Sequence, residues 1–308
     1  MNNFNENGNI LDMEFLMRTP KLVIKKKTSL GVLYFTECLR NEAKRMIEYG
    51  HYSHNFIRAF GRINIGVYKE GRLLGVASYG SMTNVNSFDN LAEGLRQDEV
   101  IELNRMWVDD ELGKNVESML LSASIKIIKK CYPDIKLIQS FSDGRLGCGV
   151  MYQSANFDYV GYINSTFILD KKSGLTVHRR RLENTNSIEF LRILLDILEE
   201  NCEIVTIRSY RYLYKLNSSV IYKMEKQEYP KEKIGINKNT EYSIKTSILK
   251  GYILCKYIES LNLYLDIIIN YCSKNGIDIE KEFQNSKERR GIVDFCYMYG
   301  LEDILDEY

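Results

Sequence analysis

Two of the three histidines, His51 and His54, fall in one turn, Gly50-His51-Tyr52-Ser53-His54. An imidazole titrates near neutrality and serves as general acid, general base or metal ligand. The plainer reading, a pair of hydrogen-bonded loop histidines, stands beside it. Arg105 offers a planar fork of donors that fits a phosphate or carboxylate; a structural ion pair with Glu102 explains it equally well. Asp143 ends a strand and enters Gly144-Arg145-Leu146-Gly147-Cys148-Gly149. Ligands gather beyond strand carboxyl ends in open α/β sheets, so Asp143 reads as a base or an orienting group. By spacing alone Tyr152 is as much a core residue as a proton donor, and Ser118, in the first turn of a helix, is most simply a cap. His51 with Asp143 amounts to two ligands, too few for a metal site, and no metal is assigned.

These side chains need elements to hold them. Residues 100–108 alternate apolar and polar side chains and predict a strand. A helix over about 116–131 follows, with Met119, Leu120, Ala123, Ile127 and Ile128 recurring on one face. Tyr132-Pro133-Asp134 ends it, because proline cannot continue a helix, and 135–142 reads as the next strand. Upstream the pattern predicts an amphipathic helix over 36–49, a hairpin of 64–69 with 73–79, and a polar loop over 80–95. Downstream come strands at 164–169, 203–208 and 209–216, a helix over 187–200, and a long helix-compatible run over 242–275. The expected organisation is a flexible tail (1–20), an α/β (α+β) domain (21–232) and a helical appendage (233–308).

With 308 residues and a net charge of +1, the chain can bury a full core but offers no bulk electrostatic argument for nucleic acid or membrane. Any basic site must be local: Lys25-Lys26-Lys27, His178-Arg179-Arg180-Arg181, and Arg208 with Arg211 either hold phosphates or form solvated faces. The seven cysteines are dispersed and never spaced C-x-x-C, which points to reduced thiols in a cytoplasmic setting and away from a zinc cluster. No apolar run reaches membrane-spanning length, so no membrane partner is expected.

The order strand, loop, helix, strand, short helix, closing on Met151-Tyr152-Gln153-Ser154-Ala155-Asn156-Phe157, resembles the core of the GNAT acyltransferase fold: a mixed, splayed sheet flanked by helices. That family carries a glycine-rich loop for coenzyme A before its central helix. Here the place holds Glu111-Leu112-Gly113-Lys114-Asn115-Val116-Glu117, a departure from it. A narrower resemblance runs from about Leu22 to Lys231. His51-Tyr52-Ser53, Glu102-Leu103-Asn104-Arg105, Lys114-Asn115-x-Glu117-Ser118, Tyr132-Pro133-Asp134, Asp143, Tyr152-Gln153, Arg211-Tyr212-x-Tyr214 and Tyr229-Pro230-Lys231 are together similar to the Mom family of phage DNA-modification proteins.

That resemblance implies a GNAT-like enzyme converting adenine in double-stranded DNA to N6-carbamoylmethyladenine, which protects phage DNA from restriction. It implies His51, Arg105, Ser118, Asp143 and Tyr152 as catalytic residues. Tyr52, Ser53, Asn104, Lys114, Asn115, Gln153, Arg179 and Arg180 would bind substrate, and Tyr52 and Tyr79 are candidates to stack on a flipped base. At Cys148 many relatives would carry histidine. The donor is an unidentified acyl or glycyl-type group; acetyl-coenzyme A, iron and a homodimer stay open. The competing expectations are an acyl-coenzyme A N-acyltransferase acting on a small amine or protein, and a non-catalytic binding protein on the same scaffold.

Overall fold

β-Branched and aromatic residues at alternating positions draw the first half of the chain into a meander of strands. A computed structural model describes residues 2–4, 10–12, 21–183, 188–232, 235–287 and 289–307. Of the expected tail it describes only Asn2–Phe4 (β1) and Ile10–Asp12 (β2), which pair antiparallel; the rest of 1–20 lies outside the described residues.

The chain folds into two compact units, Met1–Ile163 with Ser209–Ile234, and Asn164–Arg208 with Gly235–Tyr308. Of the three crossings between them, the last, from Ile234 to Gly235, lies beside the expected boundary at 232. Segment 164–208, however, groups with the C-terminal helices and not with the rest of the expected 21–232 domain.

In the first unit, Ile24–Thr28 (β3), Gly31–Glu37 (β4), Ile63–Lys69 (β5), Arg72–Gly80 (β6), Val100–Val108 (β7), Leu137–Asp143 (β8), Asp158–Asp170 (β9) and Cys202–Lys215 (β11) stand in the order β9-β11-β8-β7-β6-β5-β4-β3. β9 and β11 start or finish in the second unit. Arg40–Gly50 (α1) covers one face of the sheet, with Ala43 and Ile47 packed on Phe56, Phe60 and Val76. Val116–Cys131 (α2) covers the other, where Leu120, Ala123, Ile127 and Ile128 meet Phe35, Ile65, Ile101, Leu103 and Tyr152 of the main core. Val150–Ser154 (α3) packs on that same side.

Two expectations change, and the lysine run takes the plainer of its two readings. Thr36 and Glu37 belong to β4 and not to the helix, which begins at Arg40. The lysine run lies on β3 at the sheet edge, a place where charge discourages edge-to-edge pairing. The stretch 80–95 is not simply a polar loop, since Met82, Leu91, Ala92 and Leu95 bury their side chains in a core of their own with Val100, Leu137 and Leu213.

In the second unit, Thr176–His178 (β10) pairs with β9 at Phe167–Leu169, and Asn237–Lys238 (β12) pairs with β11 at Val205 and Thr206. The expected strands 203–208 and 209–216 form one strand, β11. Arg180–Glu183 (α4), Glu189–Leu198 (α5), Lys245–Tyr257 (α6), Leu265–Lys274 (α7), Ile279–Ser286 (α8), Arg290–Tyr299 (α9) and Ile304–Glu307 (α10) enclose Phe190, Leu194, Leu254, Phe295 and Cys296. The run 242–275 is broken, because Ile258 is extended and Glu259–Tyr264 turns as a 3-10 helix. Ser260 and Asn262 there are residue types that favour turns over helix interiors. All seven cysteines are free thiols, Cys148, Cys255, Cys272 and Cys296 buried, and among the described residues no helix is long and apolar enough to cross a membrane.

Candidate active site

β7 and β8 pair in parallel from Val100 with Leu137 to Leu103 with Ser140, and no further. Past that point β7 stays with β6 and β8 with β11. The two central strands therefore part, each held by its outer neighbour, and leave an opening in the sheet. The register against β6 slips there: Tyr79 faces Leu103 while Ser78 faces Arg105, so Asn104 is an extra residue. Such a bulge re-aims side chains near active sites. It lets Leu103 and Met106 both pack on the α2 side, while Arg105 turns its guanidinium over Phe60 of the α1 side, 4.7 Å from the ring centre.

Helix α1 delivers His51 to this opening. Glu42 accepts the Leu39 N–H at 2.8 Å to start the helix. At its other end Gly50 lies flat on Trp107; a Cβ there would fall 2.1 Å from the indole Cε2. The His51–His54 turn closes through the His54 N–H to the His51 carbonyl, 2.8 Å. His54 holds the turn from below, its Nδ1 donating to the Glu48 carbonyl at 2.9 Å. His51 is the opposite tautomer. The Ser53 backbone N–H, which can only donate, reaches His51 Nδ1 at 3.1 Å, and Ser53 Oγ lies 2.8 Å from the same nitrogen. The lone pair of Nδ1 is thus occupied and Nε2 carries the proton.

Burial, then the positive charges of Arg105 and His54, lower the His51 pKa from 6.5 to about 4. A depressed histidine pKa means the unfolded chain binds the extra proton first. Its contribution to stability is therefore complete above pH 6.5 and is lost as pH falls toward 4. Imidazole nitrogen shifts followed by NMR are expected to show His51 neutral, protonated on Nε2, at pH 6; a doubly protonated ring at that pH would contradict the geometry.

Tyr52 tilts against the His51 ring at 4.3 Å between centroids and points its hydroxyl at Asp143 Oδ2, 3.5 Å away. Desolvation and the Asp143 charge keep the phenol pKa above its ordinary value. Asp143 is occupied chiefly by Arg145, which donates from its backbone N–H (3.0 Å to Oδ1) and from Nε (2.9 Å to Oδ1), with Nη2 on Oδ2. The sequence marks Arg145 only through an Asp-Gly-Arg turn at a strand end, where an aspartate side chain closes on the backbone two residues on. Arg105 donates to the carbonyls of Asn104 (2.6 Å) and Asn55 (3.3 Å), and its Nη2 has no hydrogen-bond partner among the described residues. No ion pair joins Arg105 to Glu102 among the described residues. Glu102 instead is buried and accepts from Thr83 Oγ1 (2.7 Å), Asn104 Nδ2 (3.1 Å) and Gln139 Nε2 (2.9 Å).

The remaining expected site residues separate. Asn104 spends its amide on Glu102 and the Ser81 carbonyl, and Ser53 serves to orient His51. Gln153 points at the carbonyls of Cys148 and Pro230 and the Tyr212 hydroxyl, so it ties motifs together. Tyr229 donates to the Phe157 carbonyl at 2.8 Å and Tyr212 to that of Cys148, in the same framework role. Tyr79 is fully buried and cannot stack on a base. Tyr152, 4% exposed, stacks on Tyr212 and holds its hydroxyl 2.8 Å from Ser140 Oγ, just where β7 and β8 part. Burial raises its pKa, which keeps it a proton donor. Ser118 lies half-buried in the first turn of α2, on the opposite face of the sheet from His51. Lys114 and Asn115 are exposed; Asn115 is left-handed (φ 71°) and caps α2 with no side-chain bond. Arg179 and Arg180 belong to the second unit, where Arg179 pairs with Glu183 at 3.5 Å.

Iron does not fit these donors. Among the described residues no three His, Cys, Asp or Glu side chains converge, His51 Nδ1 and the Asp143 oxygens are taken, and two arginines flank them.

Comparison with known proteins bears on the same residues. The model of the Mom protein family matches residues 32–231. This chain belongs to the Mom protein family. The match takes in the opening between β7 and β8 and every family motif that the sequence shows, from His51 to Lys231. Methylcarbamoylase Mom of Escherichia phage Mu is 37% identical over 126 residues, 41% of this chain and 52% of that protein. The chain thus spans about half the length of this curated relative. Among solved structures, the ribosomal-protein-S18-alanine N-acetyltransferase of Escherichia coli is 8% identical with a TM-score of 0.35, over 61% of this chain and 96% of that one. The IAA acetyltransferase of Bacillus cereus is 10% identical with a TM-score of 0.34, over 59% and 99%. Those likenesses are remote.

Proposed function

We propose that the protein modifies adenine in double-stranded DNA at N6, forming N6-carbamoylmethyladenine, and so shields phage DNA from restriction nucleases. The observation that carries this is the convergence of His51, Tyr52, Arg105, Asp143 and Arg145, drawn from separate elements, on the α1 side of a parted β7–β8 pair. The exocyclic nitrogen of adenine is a weak nucleophile, its lone pair delocalised into the ring, so it needs placing and a proton acceptor as the new bond forms. Asp143 has one replaceable partner. The Tyr52 contact, at 3.5 Å, is longer than those from the Arg145 backbone N–H and Nε, at 3.0 and 2.9 Å, and an adenine N6–H can displace it. As the N6–C bond forms, that proton passes to Oδ2 and the donor's leaving group takes its bonding pair.

Arg105, with Nη2 open, anchors a substrate anion or carbonyl. His51 presents Nε2–H as a neutral donor. Tyr152 and Ser118 stand on the other face, where the donor enters, and Tyr152 protonates the leaving group. The backbone N–H groups at the start of α2, left uncapped by Asn115, receive an anionic part of the donor. Arg179 and Arg180 hold DNA phosphates.

Plasmid DNA from cells expressing the protein, digested to nucleosides and analysed by mass spectrometry, tests the reading. A deoxyadenosine heavier by a carbamoylmethyl group is the expected product; only ordinary deoxyadenosine from cells rich in soluble protein would sink it.

A further inference from the structure

The turn that follows Asp143 is held from within. Leu146 and Gly147 both donate backbone N–H groups to the Asp143 carbonyl (3.0 and 3.1 Å), Ser142 Oγ donates to the Gly147 carbonyl (3.2 Å), and Arg145 clamps the Asp143 carboxylate. The turn is therefore fixed from inside, yet at its tip Leu146 is 64% exposed. Val150, at the start of α3, is equally exposed. A single exposed leucine is ordinary; one at the tip of a locked turn beside a cleft is placed.

A second held segment lies beside Arg105 of β7, whose Nε donates to the Asn55 carbonyl. Arg40 grips the segment after His54 by donating to the carbonyls of Ile57, Arg58 and Phe60. That segment shows solvent an apolar side chain, Ile57 at 44%, and a cation, Arg58. Arg58 has no ion pair among the described residues. Each segment thus pairs an exposed apolar tip with an arginine, Arg145 in one and Arg58 in the other. Tyr52, 54% exposed, stands beside the Leu146 turn with the Arg145 guanidinium 6.0 Å from its ring centre.

We propose that Leu146 is a wedge that enters the base stack of duplex DNA and fills the space vacated when the target adenine swings out toward Tyr52 and Asp143. Apolar side chains of this size part base steps in other DNA-binding proteins, and extrusion must precede chemistry on a stacked base. A turn locked by hydrogen bonds suits the task, since a soft one would yield before the stack did. The inference rests on the proposed adenine-modifying function.

Two measurements test it. Duplex oligonucleotides carrying 2-aminopurine in place of one adenine report extrusion as a rise in fluorescence. With the wild-type protein the rise is expected on a fully paired duplex. With Leu146→Ala it is expected to fall by about tenfold, while it persists when the 2-aminopurine faces an abasic site, where little stacking has to be broken. In expressing cells the modified deoxyadenosine should drop in parallel, with Leu146→Met restoring it and Leu146→Asn not. Leu146 is too exposed for these changes to unfold the chain, and unchanged melting curves check that. Equal fluorescence and equal modification for wild type and Leu146→Ala would overturn the wedge and leave the function standing. Wild-type protein that modifies DNA but never brightens a paired 2-aminopurine would also overturn it. No modification by the wild-type protein removes the function, and the wedge with it.

Discussion

Cells expressing Asp143→Asn are expected to yield plasmid whose modified deoxyadenosine is reduced by about a hundredfold to ten-thousandfold, the range lost with a positioned proton acceptor. The change keeps the size of the side chain and removes one acceptor oxygen, placing an NH2 group where Arg145 or Tyr52 now donates. A donor against a donor leaves both arginine and amide poorly paired, and the turn bearing Leu146 loosens at its base. The measurement is the modified-to-unmodified nucleoside ratio at short induction times, before the wild type saturates its sites. Arg145→Ala serves as the companion. It frees Asp143 from its clamp without removing the carboxylate, so modification should fall less steeply than in Asp143→Asn. Full activity of Asp143→Asn would show that the aspartate takes no part.

Gly80→Ala is expected to damage the first unit through its backbone. A Cβ at this position would lie 2.2 Å from the Ala59 carbonyl oxygen, 2.7 Å from Asn104 Oδ1 and 3.0 Å from the Phe60 Cα. Two of these are backbone atoms that no rotamer change can move. The loss should be about 3 kcal/mol, the upper part of the range for forced overpacking, seen as a lowered melting midpoint. The same methyl pushes on the segment that supplies the Asn55 carbonyl to Arg105 and on the bulge at Asn104. Activity should therefore fall further than stability alone accounts for, even at temperatures where the variant is folded. A variant with wild-type melting would mean that the loop closes elsewhere.

Local pattern made the centre of the fold readable. Residues 100–108 and 116–131 form the strand and helix that their periodicity announces, with the same bounds, because both lie against a core that rewards the alternation. What periodicity could not show is where two strands separate. The parting of β7 from β8 depends on β6 and β11 holding each strand from outside, and β11 comes from far along the chain. The sequence offers His51, Arg105 and Asp143 as candidates from residue type and place, but it hides their partners. Ser53 fixing the imidazole and Arg145 fixing the carboxylate are two-residue contacts that many turns contain. Tyr79 misled because an aromatic residue at a strand end looks alike whether its ring faces solvent or core. The helical run 242–275 misled for a related reason, since an apolar stripe continues through a break at Ile258 that only backbone geometry reveals.

The position of β11 also sets the order in which the protein can be finished. It lies between β8 and β9, yet it is synthesised after both, once the chain has passed through the second unit's segment 164–208. Until it emerges from the ribosome, β8 has no outer partner and both strands expose unpaired edges. Closing so long a loop costs little equilibrium stability, about 0.6 kcal/mol per doubling of length, but non-local pairing slows folding. Ser209 of β11 is the register partner of Asp143. The cleft beside Asp143 therefore cannot set until β11 has emerged, and a nascent chain released before Lys215 would carry His51, Arg105, Asp143 and Tyr152 without the full strand that holds the opening apart.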